Sequence, residues 1–119
     1  LDDVIEVMKA TGTDGVIATY TTISREGLHS TPEEIEKAGD GGLSGQPLTR
    51  GSLEMIRYLR SQLGPNFPII GVGGIMTPTD AVERLKAGAD LIQVYTGFVY
   101  EGPGFAKRIN KAVRLMNGK

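Results

Sequence analysis

Pro68-Ile69-Ile70-Gly71-Val72-Gly73-Gly74 and, one unit later, Asp90-Leu91-Ile92-Gln93-Val94-Tyr95-Thr96-Gly97 are the two most apolar stretches of the C-terminal half. Both are runs of Ile, Val and Leu without clean polar alternation, the pattern of a parallel strand covered on both faces. Each therefore predicts a buried strand, and about fifteen residues of helical pattern lie between them, enough for a parallel crossover. Each run ends in a glycine-bearing turn that opens a helix. At such a turn backbone N–H groups converge on an anion, glycine permits close approach, and the helix dipole adds partial positive charge. The outline is that of a phosphate site.

Working outward, Thr77 is placed as an N-cap with Pro78 at the first helical position and Asp80 in the first turn, and the helix stops at Gly88. Upstream, Leu53, Ile56, Leu59 and Leu63 form one stripe of a helix that starts near Ser52 and ends at Gly64-Pro65. Downstream, Pro103 opens a last helix with Phe105, Ile109, Val113 and Met116 inward and Lys107, Arg108, Lys111 and Arg114 mostly outward. At the other end Val4, Ile5 and Met8 follow helical spacing up to a stop at Gly12, and Gly15-Val16-Ile17-Ala18-Thr19-Tyr20 reads as a strand. Residues 23 to 50 form a long polar connection; its Glu33-Glu34-Ile35-Glu36-Lys37 is too brief to predict a helix. Structureless connections of this length are uncommon in compact domains and usually functional.

Helix, strand, long loop, helix, strand, helix, strand, helix is α/β order with parallel crossovers, open to a doubly wound sheet or a (β/α)₈ barrel. Barrel phosphate sites are built from the loops after the last two strands, where this chain has its glycine turns, so the barrel is favoured. Three strands cannot close one. The expected architecture is the last three β/α units of a (β/α)₈ TIM barrel, with residues 1–119 forming one C-terminal fragment of the barrel domain.

A formal net charge of −1 argues against a nucleic-acid surface, which needs a basic excess to release counterions. The sequence has no cysteine, which excludes disulfides, thiolate nucleophiles and Cys-ligated metals from this segment and fits a reducing compartment. No apolar run approaches membrane-spanning length. Leu1 is not an initiator methionine and the chain opens directly in a helical pattern, so it reads as a piece of something longer.

The Gly71-Val72-Gly73-Gly74 turn lacks the Gly-Lys-Ser/Thr of a Walker loop and the spacing of a Rossmann turn, which disfavours a nucleoside triphosphate. Thr19, Thr21 and Thr22 offer hydroxyls at the end of the first strand, although threonine is also an ordinary strand residue. His29, the only histidine, has no second ligand or base partner and reads as a solvated side chain. Ser44 lacks a nucleophile-elbow pattern and reads as a turn serine. Residues 107 to 119 carry five basic groups, the wet face of the last helix. No general base is paired with an acid or a metal, so these residues describe a binding half-site.

Together, Asp14-Gly15-Val16-Ile17-Ala18-Thr19-Tyr20-Thr21-Thr22, Gly41-Gly42-Leu43-Ser44-Gly45-Gln46-Pro47-Leu48, Pro68 through Ile75 and Gly88 through Gly97 resemble, in order, the C-terminal portion of dihydroorotate dehydrogenase, closest to the quinone-linked class 2 enzymes. The resemblance implies an FMN-containing barrel that oxidises dihydroorotate to orotate in pyrimidine synthesis. Gly73, Gly74, Tyr95 and Thr96 then match the family's FMN phosphate grip, Gly45 a flavin-contacting glycine of the long loop, and Thr19 a flavin-contacting threonine. Tyr20 and Thr21 fall where the family has an Asn-Thr pair holding orotate. Tyr20 departs from that pattern, because a phenol cannot donate and accept in one plane as a carboxamide does.

The family's catalytic serine, its flavin-contacting lysine and the N-terminal extension that meets the membrane and the quinone have no counterpart in this sequence, and no metal is implied. The chain alone is expected to be inactive, and the parent cytoplasmic and peripheral on the inner face of the cytoplasmic membrane. Two other readings stay open: a half-barrel of another FMN or phosphate-binding enzyme, and a non-catalytic fragment whose open edges self-associate or pair with the rest of the barrel.

Overall fold

The computed structural model describes residues 2–18, 30–39 and 42–117. Helix α1 (Asp2–Thr11) leads into strand β1 (Val16–Ala18), and helix α2 (Pro32–Ala38) follows. A 3₁₀ turn (Gln46–Leu48) runs directly into α3 (Thr49–Leu63), then β2 (Ile69–Val72), α4 (Pro78–Ala87), β3 (Leu91–Gln93), α5 (Thr96–Glu101) and α6 (Phe105–Met116). The strands form one parallel sheet in the order β1-β2-β3, with Val16 opposite Ile69 and Ile70 opposite Leu91. This repeated β/α order is the partial α/β barrel that the glycine turns predicted.

Side chains alternate across a strand, so Ile69 and Gly71 share one face of β2, and Ile70 and Val72 the other. The first face carries the core. Ile69, Ile56 and Leu59 are all but inaccessible and pack with Ile5, Met8, Ala18 and Ala89; full burial of each large aliphatic contributes about 1.5–3 kcal/mol. Gly71 lets α3 and α4 close on the sheet here. A Cβ at this position would lie 3.0 Å from Ile56 Cδ1 and 3.2 Å from Ala89 Cβ. A second cluster, Ile75, Ala81, Phe105 and Ile109, fixes α6 against α4 just beyond the end of β2.

The opposite face is different. Ile17, Ile70 and Leu91 stand in register across the three strands, yet Ile17 is 45% and Leu91 63% accessible. The expectation of strands buried on both faces thus holds only in part for β2, where Val72 is buried and Ile70 half-buried, and fails for β3, where Leu91 and Gln93 are exposed. The short molecular axis of 19 Å matches two layers, one of helices on one of strands. Burial on both faces requires a third layer.

Local signals account for the helix ends. Thr77 Oγ1 accepts from the Asp80 N–H while Asp80 accepts from the Thr77 N–H, a reciprocal cap with Pro78 at the first position, as expected. The same device, Thr31 with Glu34 around Pro32, builds α2, so the sequence reading of residues 33–37 as too brief for a helix is corrected. Helix α3 starts at Thr49, three residues before Ser52, because the 3₁₀ turn feeds straight into it. The helix expected from Pro103 forms as α6, with its first residue at Phe105, and the short α5 ahead of it ends at Gly102, at φ 81°. Met116, expected inward, is exposed at the last position of α6, beyond the Phe105–Ile109 cluster.

Candidate functional site

Four glycines converge on one cleft of about 310 Å³ at the C-terminal ends of β2 and β3. Its walls are the turns Gly73–Met76 and Gln93–Gly97, with Ser44 and Gly45 of the long connection closing one side. Gly73 and Gly74 have φ of 101° and 70°, a left-handed geometry that side chains resist. Gly74 also has no room for a side chain: a Cβ would come within 2.5 Å of Thr49 Cα and 2.7 Å of the Leu48 carbonyl carbon. At Gly97 a Cβ would lie 2.7 Å from the Phe105 ring and closer still to the Ile75 carbonyl oxygen. Gly45, buried at φ 87°, would touch Thr96 Cγ2 at 3.3 Å.

Hydrogen bonds behind the turn orient it. The Gly74 carbonyl accepts from Thr49 Oγ1 at 2.7 Å, and the Val72 carbonyl accepts from the buried Ser52 Oγ at 3.2 Å. Arg84 Nη2 donates to the carbonyls of Thr49 (2.6 Å), Gly73 (3.3 Å) and Gly74 (3.5 Å), and Nη1 to that of Asp80 (3.2 Å). In a planar trans peptide the N–H points opposite to the C=O. Drawing the Gly73 and Gly74 carbonyls back therefore sends the N–H groups of Gly74 and Ile75 forward, toward the cleft they line. Neither N–H is bonded to another described residue. The arrangement can accept an anion with two or more oxygens.

Arg84 is the most buried charged group described, with no accessible surface, and no carboxylate lies within ion-pair distance of it among the described residues. The Asp80 carboxylate is turned to the Met76 and Thr77 N–H groups. Burial pushes the Arg84 guanidinium below the usual arginine range, while Asp80 and Glu83 act in the opposite direction. An arginine remains charged throughout the physiological range. Its Nε has no hydrogen-bond partner among the described residues.

Of the residues singled out from sequence, Gly45, Gly73, Gly74, Tyr95 and Thr96 are brought together on this one cleft. Thr96 Oγ1 donates to Ser44 Oγ at 2.9 Å, tying the long connection to the start of α5; Tyr95 is 77% accessible. Thr19, Tyr20 and Thr21, with Thr22, His29 and Gly41, lie outside the described residues. Ser44, read as a turn serine, lines the cleft. Thr49 and Arg84 were not singled out, yet both hold the turn from behind. Arg84 had one legible signal: it sits three residues after Ala81 and beside Leu85, on the helix face that the apolar pattern turns inward.

A second arginine organises the opposite end of the sheet. Arg60 donates to the carbonyls of Gly88 (2.9 and 2.6 Å), Gly64 (2.7 Å) and Phe67 (2.8 Å) and to Asp90 Oδ2 (2.8 Å). Asp90 Oδ2 also accepts from the Ile69 N–H at 2.9 Å; this bond, with Arg60, holds its carboxyl below the usual range against a smaller effect of burial. This clamp sets where β2 and β3 begin, and so where they end at the cleft. Among the described residues no helix is long and apolar enough to cross a membrane.

Comparison with known proteins agrees with this geometry. The family described as dihydroorotate dehydrogenase matches residues 1–116. The dihydroorotate dehydrogenase (quinone) of Christiangramia forsetii is 56% identical over 113 residues, 95% of this chain and 32% of that protein. Its counterpart from Nocardioides sp. is 52% identical over 110 residues, 92% of this chain and 31% of the relative. Among solved structures, dihydroorotate dehydrogenase of Eimeria tenella in complex with ferulenol superposes with a TM-score of 0.84 at 38% identity, covering 96% of this chain and 29% of the other. The chain spans about a third of the length of the curated relatives it matches. With a family match over nearly its whole length and a close superposition on a solved member, the chain belongs to the dihydroorotate dehydrogenase family.

Proposed function

We propose that this chain is the C-terminal part of an FMN-dependent, quinone-linked dihydroorotate dehydrogenase, which oxidises dihydroorotate to orotate in pyrimidine synthesis. The observation that carries the reading is the convergence of Gly45, Gly73, Gly74 and Gly97 on one cleft, where the N–H groups of Gly74 and Ile75 bond to no described residue. In this reading the turn at Gly73 and Gly74, with Tyr95 and Thr96, holds the FMN phosphate, and Gly45 lies against the flavin. FMN supplies the two-electron acceptor for the substrate; the residues of this chain bind and orient it. Thr19 is assigned to the flavin and Tyr20 and Thr21 to orotate, with the bulk of Tyr20 changing the substrate pocket. The catalytic base comes from the rest of the complete protein and the quinone site from its N-terminal extension, and the complete protein is cytoplasmic and peripheral on the membrane.

The uncovered row Ile17, Ile70 and Leu91 favours one further point: this chain by itself associates with a second copy or with the rest of the barrel, to cover that face. A stable monomer in sedimentation would rule this out.

The deciding experiment titrates FMN fluorescence against the chain alone and against the complete polypeptide, and follows dihydroorotate-dependent quinone reduction. Binding and turnover by the complete polypeptide, with no turnover by the 119 residues alone, is the expected result. Turnover by the chain alone would overturn the division of the site. A folded complete protein without flavin affinity would leave a barrel for another phosphate-bearing ligand.

A further inference from the structure

We propose that Arg84 is a positioning residue for the phosphate of the cofactor: a buried counter-charge that acts through the Gly73–Gly74 peptides without touching the ligand. The inference rests on the FMN reading and adds a residue and a charge to it. Three observations converge. Arg84 has no accessible surface and no carboxylate within ion-pair distance among the described residues, so Asp80 and Glu83 offset its charge only from a distance. It spends its donors on backbone carbonyls, three of them those of Thr49, Gly73 and Gly74. The Gly73 and Gly74 carbonyls form the rear of the turn that lines the cleft, and the Thr49 carbonyl stands beside them at the start of α3.

A buried cation without a counter-ion is costly, because desolvation is not repaid by an ion pair. The cost falls when an anion occupies the neighbouring cleft. The lining of the cleft contains no Lys, Arg or His, so Arg84 is the positive charge nearest the turn on the described side of the site. Its field reaches the anion through aligned peptide dipoles, with the carbonyl ends toward Arg84 and the N–H ends toward the ligand. A phosphate monoester carries a charge of about −1.5 to −2 at pH 7. Riboflavin, which has the same ring and no phosphate, is blind to this effect.

The test measures the dissociation constants of FMN and riboflavin for the complete polypeptide, as wild type, Arg84→Met and Arg84→Lys. Methionine keeps much of the volume and removes the charge; lysine keeps the charge with fewer donors. The expected result is a loss of FMN affinity of tenfold or more in Arg84→Met with riboflavin affinity within twofold of wild type, and recovery of most of the FMN preference in Arg84→Lys. Equal losses for both ligands would show a purely structural role and overturn the proposal, as would unchanged FMN binding in Arg84→Met. Should Arg84→Met fail to fold, Arg84→Lys decides: an FMN-to-riboflavin preference within threefold of wild type supports the counter-charge, and a larger loss of preference overturns it. Wild-type protein that binds neither flavin sinks the FMN reading itself, an outcome distinct from failure of the Arg84 inference alone.

Discussion

Replacing Gly74 with alanine tests the geometry of the cradle most directly. Two costs add. The backbone sits at φ 70°, and a left-handed residue with a Cβ costs roughly 1–2 kcal/mol. The new Cβ would also fall within 2.5 Å of Thr49 Cα and 2.7 Å of the Leu48 carbonyl carbon. These are backbone atoms at the junction of the 3₁₀ turn and α3, where no side-chain rotation gives relief; forced shifts of this kind cost about 1–3 kcal/mol. The sum, roughly 2–5 kcal/mol, is a large share of the stability of an ordinary domain. Gly12 is the internal control, because its φ of 71° is nearly the same and nothing lies within 4 Å of its Cβ position, so Gly12→Ala carries the conformational cost alone.

Equilibrium urea unfolding of the complete polypeptide with each substitution should place the Gly74→Ala midpoint below that of Gly12→Ala by on the order of 1 M, for a slope of about 1–3 kcal/mol/M. FMN affinity should fall in Gly74→Ala and stay unchanged in Gly12→Ala, which is remote from the cleft lining. Equal midpoints for the two variants would refute the close approach of the turn to Thr49, and with it the cradle.

The remaining predictions concern the supports of the site. Thr49→Val removes the hydroxyl that donates to the Gly74 carbonyl and keeps the side-chain shape; it should cost about 1 kcal/mol in unfolding and weaken FMN binding several-fold. Arg60→Lys should be nearly as damaging as Arg60→Ala, at about 2–4 kcal/mol by thermal or urea unfolding, because one ammonium cannot serve the Gly64, Phe67 and Gly88 carbonyls together. Asp90 has a folded-state pKa below its unfolded value, so its contribution is present above the unfolded carboxylate range and is lost as pH falls through the folded pKa. Unfolding measured from pH 7 downward should show stability declining below about pH 4, and Asp90→Asn should flatten that decline. Because Asp90 is half exposed, the effect is expected to be under about 1 kcal/mol.

Much of the chain's organisation is legible locally. The apolar run Ile69–Val72, the cap at Thr77 with Pro78 and Asp80, and the stops at Gly64 and Gly88 are short-range signals, and each element forms where they place it. The glycines of the cleft are legible for the same reason, since left-handed turns after strands leave a compositional mark. The missed helix at Pro32–Ala38 was equally local: Thr31, Pro32 and Glu34 carry its complete N-terminal cap, and its shortness hid it. The start of the last helix is likewise local: Gly102-Pro103-Gly104 separates α5 from α6, and α6 begins at Phe105, two residues after the proline.

The alternation of strands and helices, the glycine turns after the last two strands and the four motifs that mark the family are therefore properties of local sequence. Tertiary structure alone decided which side chains stand behind those turns and which faces are covered. Arg84 and Thr49 are 35 residues apart and meet only because α3 and α4 pack on the same side of β2. Leu91 has the sequence of a buried strand residue and is exposed because burial belongs to the neighbouring layer as much as to the strand. Periodicity records the conformation a segment prefers; the partner that satisfies its hydrogen bonds or covers its surface is supplied from elsewhere in the chain, at a separation no local pattern encodes.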